Sequence, residues 1–473
     1  VNETRIVVLG AGPAGLAAAL ELAERGVSVR VLERQDRVGG NAGSFEFAGV
    51  RVDYGSHRLH PAADPEILER LRQLLGDDLL TRPRHGRIRL MGRWLHFPLR
   101  PADLALRAHP RFALGVGLDL AGKLLPRPGS AGPESFASVL QRGLGATICR
   151  EFYFPYARKI WGVEPEALSA IQARKRVSAG SLGKMLRRLL PGGTGSGAAN
   201  TKGVFYYPRR GYGQISEALH EAALAAGAQI ELTTQVERID LSGSRPRVHW
   251  VCDGQPSELE AHQVFSTIPV SVLARLCEPQ APASVLAAAD ALEFRAMILV
   301  YLALEQDRFT EFDAHYFPEA EFPFSRVSEP KNYAALPEPR GRTVLCAEIP
   351  CQRGDALWTL SDEELSLRVR DGLERAGLPV RSEVGAVLAK RIPFAYPIYH
   401  TGYDTHFGAL DRWLDERPGV LSFGRQGLYA HDNTHHAMFM ARSAVRCLRS
   451  DGSIDRDAWH AERAIFETHV VED

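Results

Sequence analysis

An α/β fold built on a parallel sheet is predicted by three features of the chain. A short apolar run, Arg5-Ile6-Val7-Val8-Leu9, passes without a linker into Gly10-Ala11-Gly12-Pro13-Ala14-Gly15 and then into the alanine-rich helix former Leu16 to Ala23. A second apolar run, Val27 to Leu32, ends on Glu33. Helix and strand textures alternate again at Gln214 to Ala226, Gln229 to Leu232 and Val264 to Pro269. The first feature is a strand feeding a tight turn into a helix.

The turn has a chemistry. Gly10 permits the sharp bend, Gly12 lets a pyrophosphate approach the backbone, and Gly15 lets helix and strand pack closely, with Ala14 between them. The helix N-terminus then offers N–H groups and positive dipole to phosphates. Glu33 stands near the spacing at which a carboxylate grips adenosine ribose hydroxyls. An acid there argues against a ribose 2′-phosphate, although Arg34 beside it would suit one. Together these residues predict a dinucleotide-binding Rossmann unit.

Downstream elements follow in order. Arg34 to Gly43 contains Arg37, the pair Gly39-Gly40 and Asn41, and Asp53 to His60 forms a loop. Asp64 to Leu75 is a helix with Asp64 as cap and Pro65 in its first turn. From 76 to 200 proline and arginine rise and helical patterns dominate. There Phe112 to Leu118, glycine-broken, reads as a buried helix or a wall of the substrate domain, and Gly192 to Gly197 as a mobile loop. The strand Thr234 to Ile239, carrying Val236, follows the 229–232 run. Residues 292 to 400 hold strand-like runs such as Met297 to Leu304. Leu421 to Gly424 is a last strand, capped into a helix at Asp432, Asn433 or Thr434 that runs through Met438, Ala441, Val445 and Leu448.

Bulk numbers exclude several classes. The 57 basic and 57 acidic residues cancel, so no global field favours nucleic acid or an anionic membrane. No run reaches transmembrane length. The six cysteines form no CxxC or metal-ligand pattern, which suits buried thiols in a reducing compartment. The first strand begins so early that no leader is expected, and the reading is cytoplasmic.

The Gly-Gly pair just past Glu33 resembles a signature of the FAD-binding flavoproteins of the amine oxidase, protoporphyrinogen oxidase and UDP-galactopyranose mutase superfamily. The resemblance returns in Ser422-Phe423-Gly424-Arg425 and the following loop and helix. It implies non-covalent FAD, since no cysteine sits in a tethering context. It also implies that Arg37, Gly39, Gly40, Asn41, Val236, Gly424, Arg425, Asn433 and Thr434 join Gly10, Gly12, Ala14, Gly15, Glu33 and Arg34 around the cofactor. The fold class becomes α/β, a Rossmann-type FAD-binding domain interleaved with a mixed α+β substrate domain. The cofactor domain is expected at 1–75, 201–285 and 405–473. The substrate domain is expected at 76–200, mainly helical, and at 286–404, containing a sheet.

For catalysis the resemblance points to His57 and His60, which match a His-x-x-His loop against the flavin, where imidazole could relay a proton. In the mutase branch, residues matching Arg174, in the basic segment 174–176, and Arg295, in Leu292-Glu293-Phe294-Arg295, serve a nucleotide-sugar substrate. Tyr429 keeps the first tyrosine of that branch's Tyr-x-Tyr, and His431 replaces the second. Phe152 to Gly162 resembles an aromatic block shared by mutases and oxidoreductases, and Tyr396 and Tyr399 suit an aromatic wall. His431, His435 and His436 invite a metal, but no acidic helix motif accompanies them and none is expected. The leading expectation is an oxidoreductase passing hydride from a small organic substrate to flavin N5. The alternative is a non-redox mutase acting on a nucleotide sugar.

Overall fold

The computed structural model describes residues 4–97, 103, 106–122, 134–176, 203–335 and 338–471. The glycine-rich stretch at 192–197 lies outside them. At the centre is a five-stranded parallel sheet ordered Val420–Ser422, Gln263–Ser266, β1 (Arg5–Leu9), β2 (Ser28–Leu32) and Gln229–Glu231. β1 is the middle strand and its apolar residues are buried on both faces, as a parallel sheet covered by other layers requires. Helix α1 (Pro13–Glu24) packs against Gln214–Ala225 and Thr434–Arg446 on one face. Leu16, Leu20, Ile215, Leu219, Met438 and Val445 share that core. On the other face Val7, Leu9 and Leu32 meet a four-stranded sheet and helices from 270–290 and 403–415.

The second body is a seven-stranded sheet ordered Val384–Pro397, Phe294–Leu304, Thr343–Cys351, Arg326–Ser328, Ala314–Tyr316, Gly86–Leu90 and Arg93–Phe97. Phe294–Leu304 is its long inner strand. Ile298, Val300 and Leu302 face the layer of helix Asp362–Arg375, while Met297, Leu299 and Tyr301 face the hairpin Ser44–Phe47/Val50–Asp53. Alternation with both faces buried makes the run read as continuously apolar. Between Arg295, opposite Tyr396, and Met297, opposite Ile392, the neighbouring strand bulges at Pro393–Ala395.

Three expectations need correction. The hairpin at 86–97 falls in the stretch expected to be mainly helical, yet it extends the seven-stranded sheet through a parallel pairing with Ala314–Tyr316. The 112–118 run belongs to helix Pro110–Gly122, but that helix is not buried. Only Phe112 is, whereas Leu114 and Leu118 are 66% and 64% exposed. The helix starting at Thr434 ends at Arg446, two residues short of Leu448. Asp64 does cap Pro65–Leu75, accepting from the Glu66 and Ile67 N–H groups.

Candidate active site

A cavity of ≈ 610 Å³ runs between the two bodies, from the β1–α1 turn to the N-terminus of helix Thr434–Arg446. At one end the backbone leaves β1 through Gly10 at φ 98°. A Cβ on Gly15 would lie 1.9 Å from the Gly10 carbonyl oxygen, so helix and turn touch there. A Cβ on Gly12 meets nothing within 4 Å, and Gly12 lines the cavity with Gly10 and Ala14. Glu33 is buried. Its Oε2 accepts from Ala11 N–H at 2.8 Å and its Oε1 from Gln35 N–H at 2.9 Å, while Arg34 and Val236 flank it on the wall.

Further along, Gly39 at φ 101° donates to the Ala11 carbonyl at 2.8 Å. Arg37 donates to Gly40 O at 3.1 Å and lies 3.7 Å from the Tyr54 ring centroid, a cation–π contact. Asn41 and Gln426 both donate to Phe394 O at 2.9 Å, and Arg425 donates to Ala395 O at 2.8 Å. Side chains of the cofactor-domain segments therefore hold the bulge at 393–395 against the cavity. Asn433 caps the helix that Thr434 begins, and both line the far end. Gly15, Gly39 and Gly424 do not line the cavity. Gly424 at φ 79° would bring a Cβ to 3.0 Å from Ala14 Cβ, so its task is close packing.

His57 and His60 both line the cavity. His57 stacks on Tyr212 at 5.1 Å and its Nε2 sits 3.0 Å from Tyr54 O. A carbonyl only accepts, so Nε2 carries the hydrogen and Nδ1 keeps its lone pair. Burial pushes the His57 pKa down, against the pull of Asp53. His60 Nδ1 accepts from Ala62 N–H at 3.1 Å. Behind His57, buried Asp53 accepts from Ser44 Oγ at 2.6 Å, Tyr207 OH at 2.5 Å and Tyr212 N–H at 2.9 Å. No sequence motif assigns a role to Asp53; the one available signal is an acid closing the alternating run Val50-Arg51-Val52.

Three expected substrate-binding residues lie elsewhere. Arg174 projects from the outer face of helix Ala170–Arg176, exposed and paired with Glu134. Arg295 is wedged beneath Gly162, where an added Cβ would come within 2.5 Å of its Nη1, and it faces a separate surface depression with Lys159. Tyr429 is buried at φ 48°, and its hydroxyl is consumed by the backbone of Glu293 and Ile398. Its neighbour His431 does line the cavity, with Nε2 2.7 Å from Pro397 O and the ring stacked 5.9 Å from that of Tyr396.

The histidines at and before the start of helix Thr434–Arg446 divide. His435 and His436 turn from His431 and join His469 and Asp432, whose carboxylate accepts from His469 at 2.9 Å. Asp432, His436 and His469 bring ligand atoms within 4.8 Å of one another. Burial alone would raise Asp432, but His469 and Lys175 hold it low. With Lys175 and a helix N-terminus at hand, an added cation would be opposed.

A row unseen in the sequence crosses five strands of the large sheet. Lys390 pairs with Leu299, Leu299 with Glu348, Glu348 with Arg326, and Arg326 with Tyr316. All five line the cavity. Glu348 holds the Arg326 guanidinium through two contacts at 2.9 and 2.8 Å and accepts from Ser56 N–H at 2.8 Å. Arg58 reaches Tyr316 OH and Asp313, each at 3.0 Å.

The donor set suits FAD. Gly12 leaves room for a pyrophosphate, Glu33 offers a carboxylate at the ribose end, and a helix N-terminus closes the other end. No cysteine lines the cavity among the described residues. Residues 13–441 match the family model described as flavin-containing amine oxidoreductase. Coproporphyrinogen III oxidase of Propionibacterium freudenreichii is 26% identical over 464 residues, covering 88% of this chain and 85% of that protein. A probable UDP-galactopyranose mutase of Klebsiella pneumoniae is 25% identical over 178 residues, 36% of this chain and 44% of that one. The solved structure of reduced UDP-galactopyranose mutase superposes with a TM-score of 0.78 at 20% identity, covering 94% of this chain and 93% of that one, a likeness of fold.

Proposed function

The chain belongs to the flavin-containing amine oxidoreductase family, and from that premise we propose that it takes hydride from a small organic substrate, of amine, alcohol or sugar type, onto N5 of FAD. Bound FAD supplies the two-electron acceptor; the protein supplies binding, orientation and proton handling. Glu33 and the glycine turn bind the adenosine and pyrophosphate, and the cap of helix Thr434–Arg446 directs its positive end at the flavin end of the cavity. His57, kept neutral by burial and with Nδ1 unprotonated, takes the proton the substrate releases. No helix among the described residues is long and apolar enough to cross a membrane.

The observation that carries the oxidoreductase over the sugar mutase is where Arg174, Arg295 and Tyr429 stand. The nucleotide-sugar reading would place all three at the substrate, and none lines the cavity. The test is anaerobic. Oxidised holoenzyme mixed with amines, alcohols and sugars should be bleached by a substrate in that set. Photoreduced holoenzyme should leave UDP-galactopyranose unchanged; formation of the furanose without net electron consumption would replace this reading by the mutase.

A further inference from the structure

Resting on that oxidoreductase reading, we infer that the substrate presents an anionic group, a carboxylate or a phosphate, to the row Lys390–Leu299–Glu348–Arg326–Tyr316, and that a simple alkylamine is not the substrate. The row is a wall of the cavity whose members come from five different strands and are aligned by cross-strand pairing.

The hydrogen-bond inventory of this wall decides what it can receive. An ammonium is held by carboxylates, by other acceptors or by aromatic faces. The only carboxylate on the row is Glu348, whose Oε1 accepts from Ser56 N–H and Arg326 Nε and whose Oε2 accepts from Arg326 Nη2, so its charge is balanced by the guanidinium. Asp313, behind the wall, is paired with Arg58 through Oδ1 and accepts from His85 N–H through Oδ2 at 3.2 Å. Donors, by contrast, remain. A guanidinium carries five N–H groups. Arg326 directs Nε and Nη2 at Glu348 and Nη2 also at Ser56 O, and Arg58 leaves its buried Nε without an acceptor.

Charge points the same way. The Arg326–Glu348 and Arg58–Asp313 pairs each cancel. Lys390 forms no ion pair among the described residues; its ammonium lies 5.3 Å from the Phe45 ring centroid. The row therefore has a net positive charge, which favours an anion and opposes a cation. Guanidinium groups are also the side chains whose fixed fork matches a carboxylate or phosphate.

The test uses holoenzyme saturated with FAD, so that the dinucleotide end is filled. Inorganic pyrophosphate and citrate are titrated as phosphate and carboxylate probes, and benzylamine as the amine probe, each followed by perturbation of the flavin absorption spectrum. At least one anion should perturb the spectrum saturably, and benzylamine should neither perturb nor bleach it; which anion binds distinguishes phosphate from carboxylate recognition. Lys390→Met should weaken that anion by about tenfold or more, and Arg326→Lys, which keeps the charge but loses the fork, by a similar factor, with flavin content unchanged in both. Response to benzylamine alone, no response to any probe, or anion binding indifferent to both substitutions overturns the inference while the FAD-oxidoreductase reading stands. A protein that takes up no FAD removes both.

Discussion

Gly12→Ala separates a residue that holds the fold from one that leaves room for a ligand. Gly12 sits at φ −75° and ψ 177°, a conformation open to any residue, and a Cβ there meets no atom within 4 Å. The apoprotein should therefore accept the methyl. Lower freedom of the unfolded chain stabilises by about 0.4–1 kcal/mol, and the poorer N-cap that alanine makes offsets a similar amount, about 0.5–1 kcal/mol. Apoprotein stability should move by no more than about 0.5 kcal/mol, roughly 1–2 °C in Tm. The holoprotein cannot accept it as easily, because the open space is where a pyrophosphate passes. Forcing one extra methyl into a filled contact costs about 1–3 kcal/mol, or about 5- to 150-fold in FAD affinity. Gly15→Ala is the control with the opposite geometry: its Cβ would lie 1.9 Å from Gly10 O, so turn and helix must separate and the apoprotein itself should lose stability. The measurements are FAD affinity of the deflavinated protein by flavin fluorescence and the apoprotein melting curve. Unchanged FAD affinity in Gly12→Ala, or an apoprotein Tm lowered by more than about 5 °C (far outside the roughly 1–2 °C expected), would refute the reasoning.

Glu33→Ala should weaken FAD retention and also destabilise the protein by about 1–3 kcal/mol, since the buried Ala11 N–H loses its acceptor; full flavin content after gel filtration, or an unmoved urea midpoint, would contradict it. Tyr207→Phe removes one of the donors that hold Asp53, and should lower stability by about 1–3 kcal/mol in urea titration, because a buried acceptor loses its partner. Burial and the surrounding imidazoles push His435 down to about 3, and burial, only partly offset by Asp432, pushes His436 down to about 4. Both are below their unfolded value, so their stabilisation is complete above about pH 6.5 and is lost as pH falls toward 4 and then 3. His435→Leu should flatten that dependence between pH 6.5 and 4; an equally steep loss of stability in the variant would count against it.

Much of the cofactor end was legible. The β1–α1 turn, Glu33 and the cap at Asn433 each depend on neighbours a few residues away, and local sterics and hydrogen bonding express them in short motifs. Family resemblance added Arg37, Asn41, Val236 and Arg425, all of which line the cavity, but it also offered Gly39 and Gly424, whose missing side chains permit packing. That the hairpin at 86–97 belongs to the large sheet was hidden because the strand joining it there, Ala314–Tyr316, lies more than 200 residues away. Asp53 was hidden because its partners Tyr207 and Tyr212 arrive from a separate segment.

The chain by itself determined the Rossmann turn and the dinucleotide, because these follow from spacings within single elements and from their order, and its resemblance to a known family implied the flavin and the interleaving of cofactor and substrate segments. Tertiary structure alone decided which charged and aromatic side chains line the cavity. Arg174, Arg295 and Tyr429 have the right residue types, yet a helix's outer face, the crowding beneath Gly162 and two backbone carbonyls take them out of the cavity. Lys390, Glu348, Arg326 and Tyr316 carry no motif, and strand pairing sets them side by side. Register is a property of pairs of strands, so a single sequence read from end to end contains the members of such a row but not their adjacency.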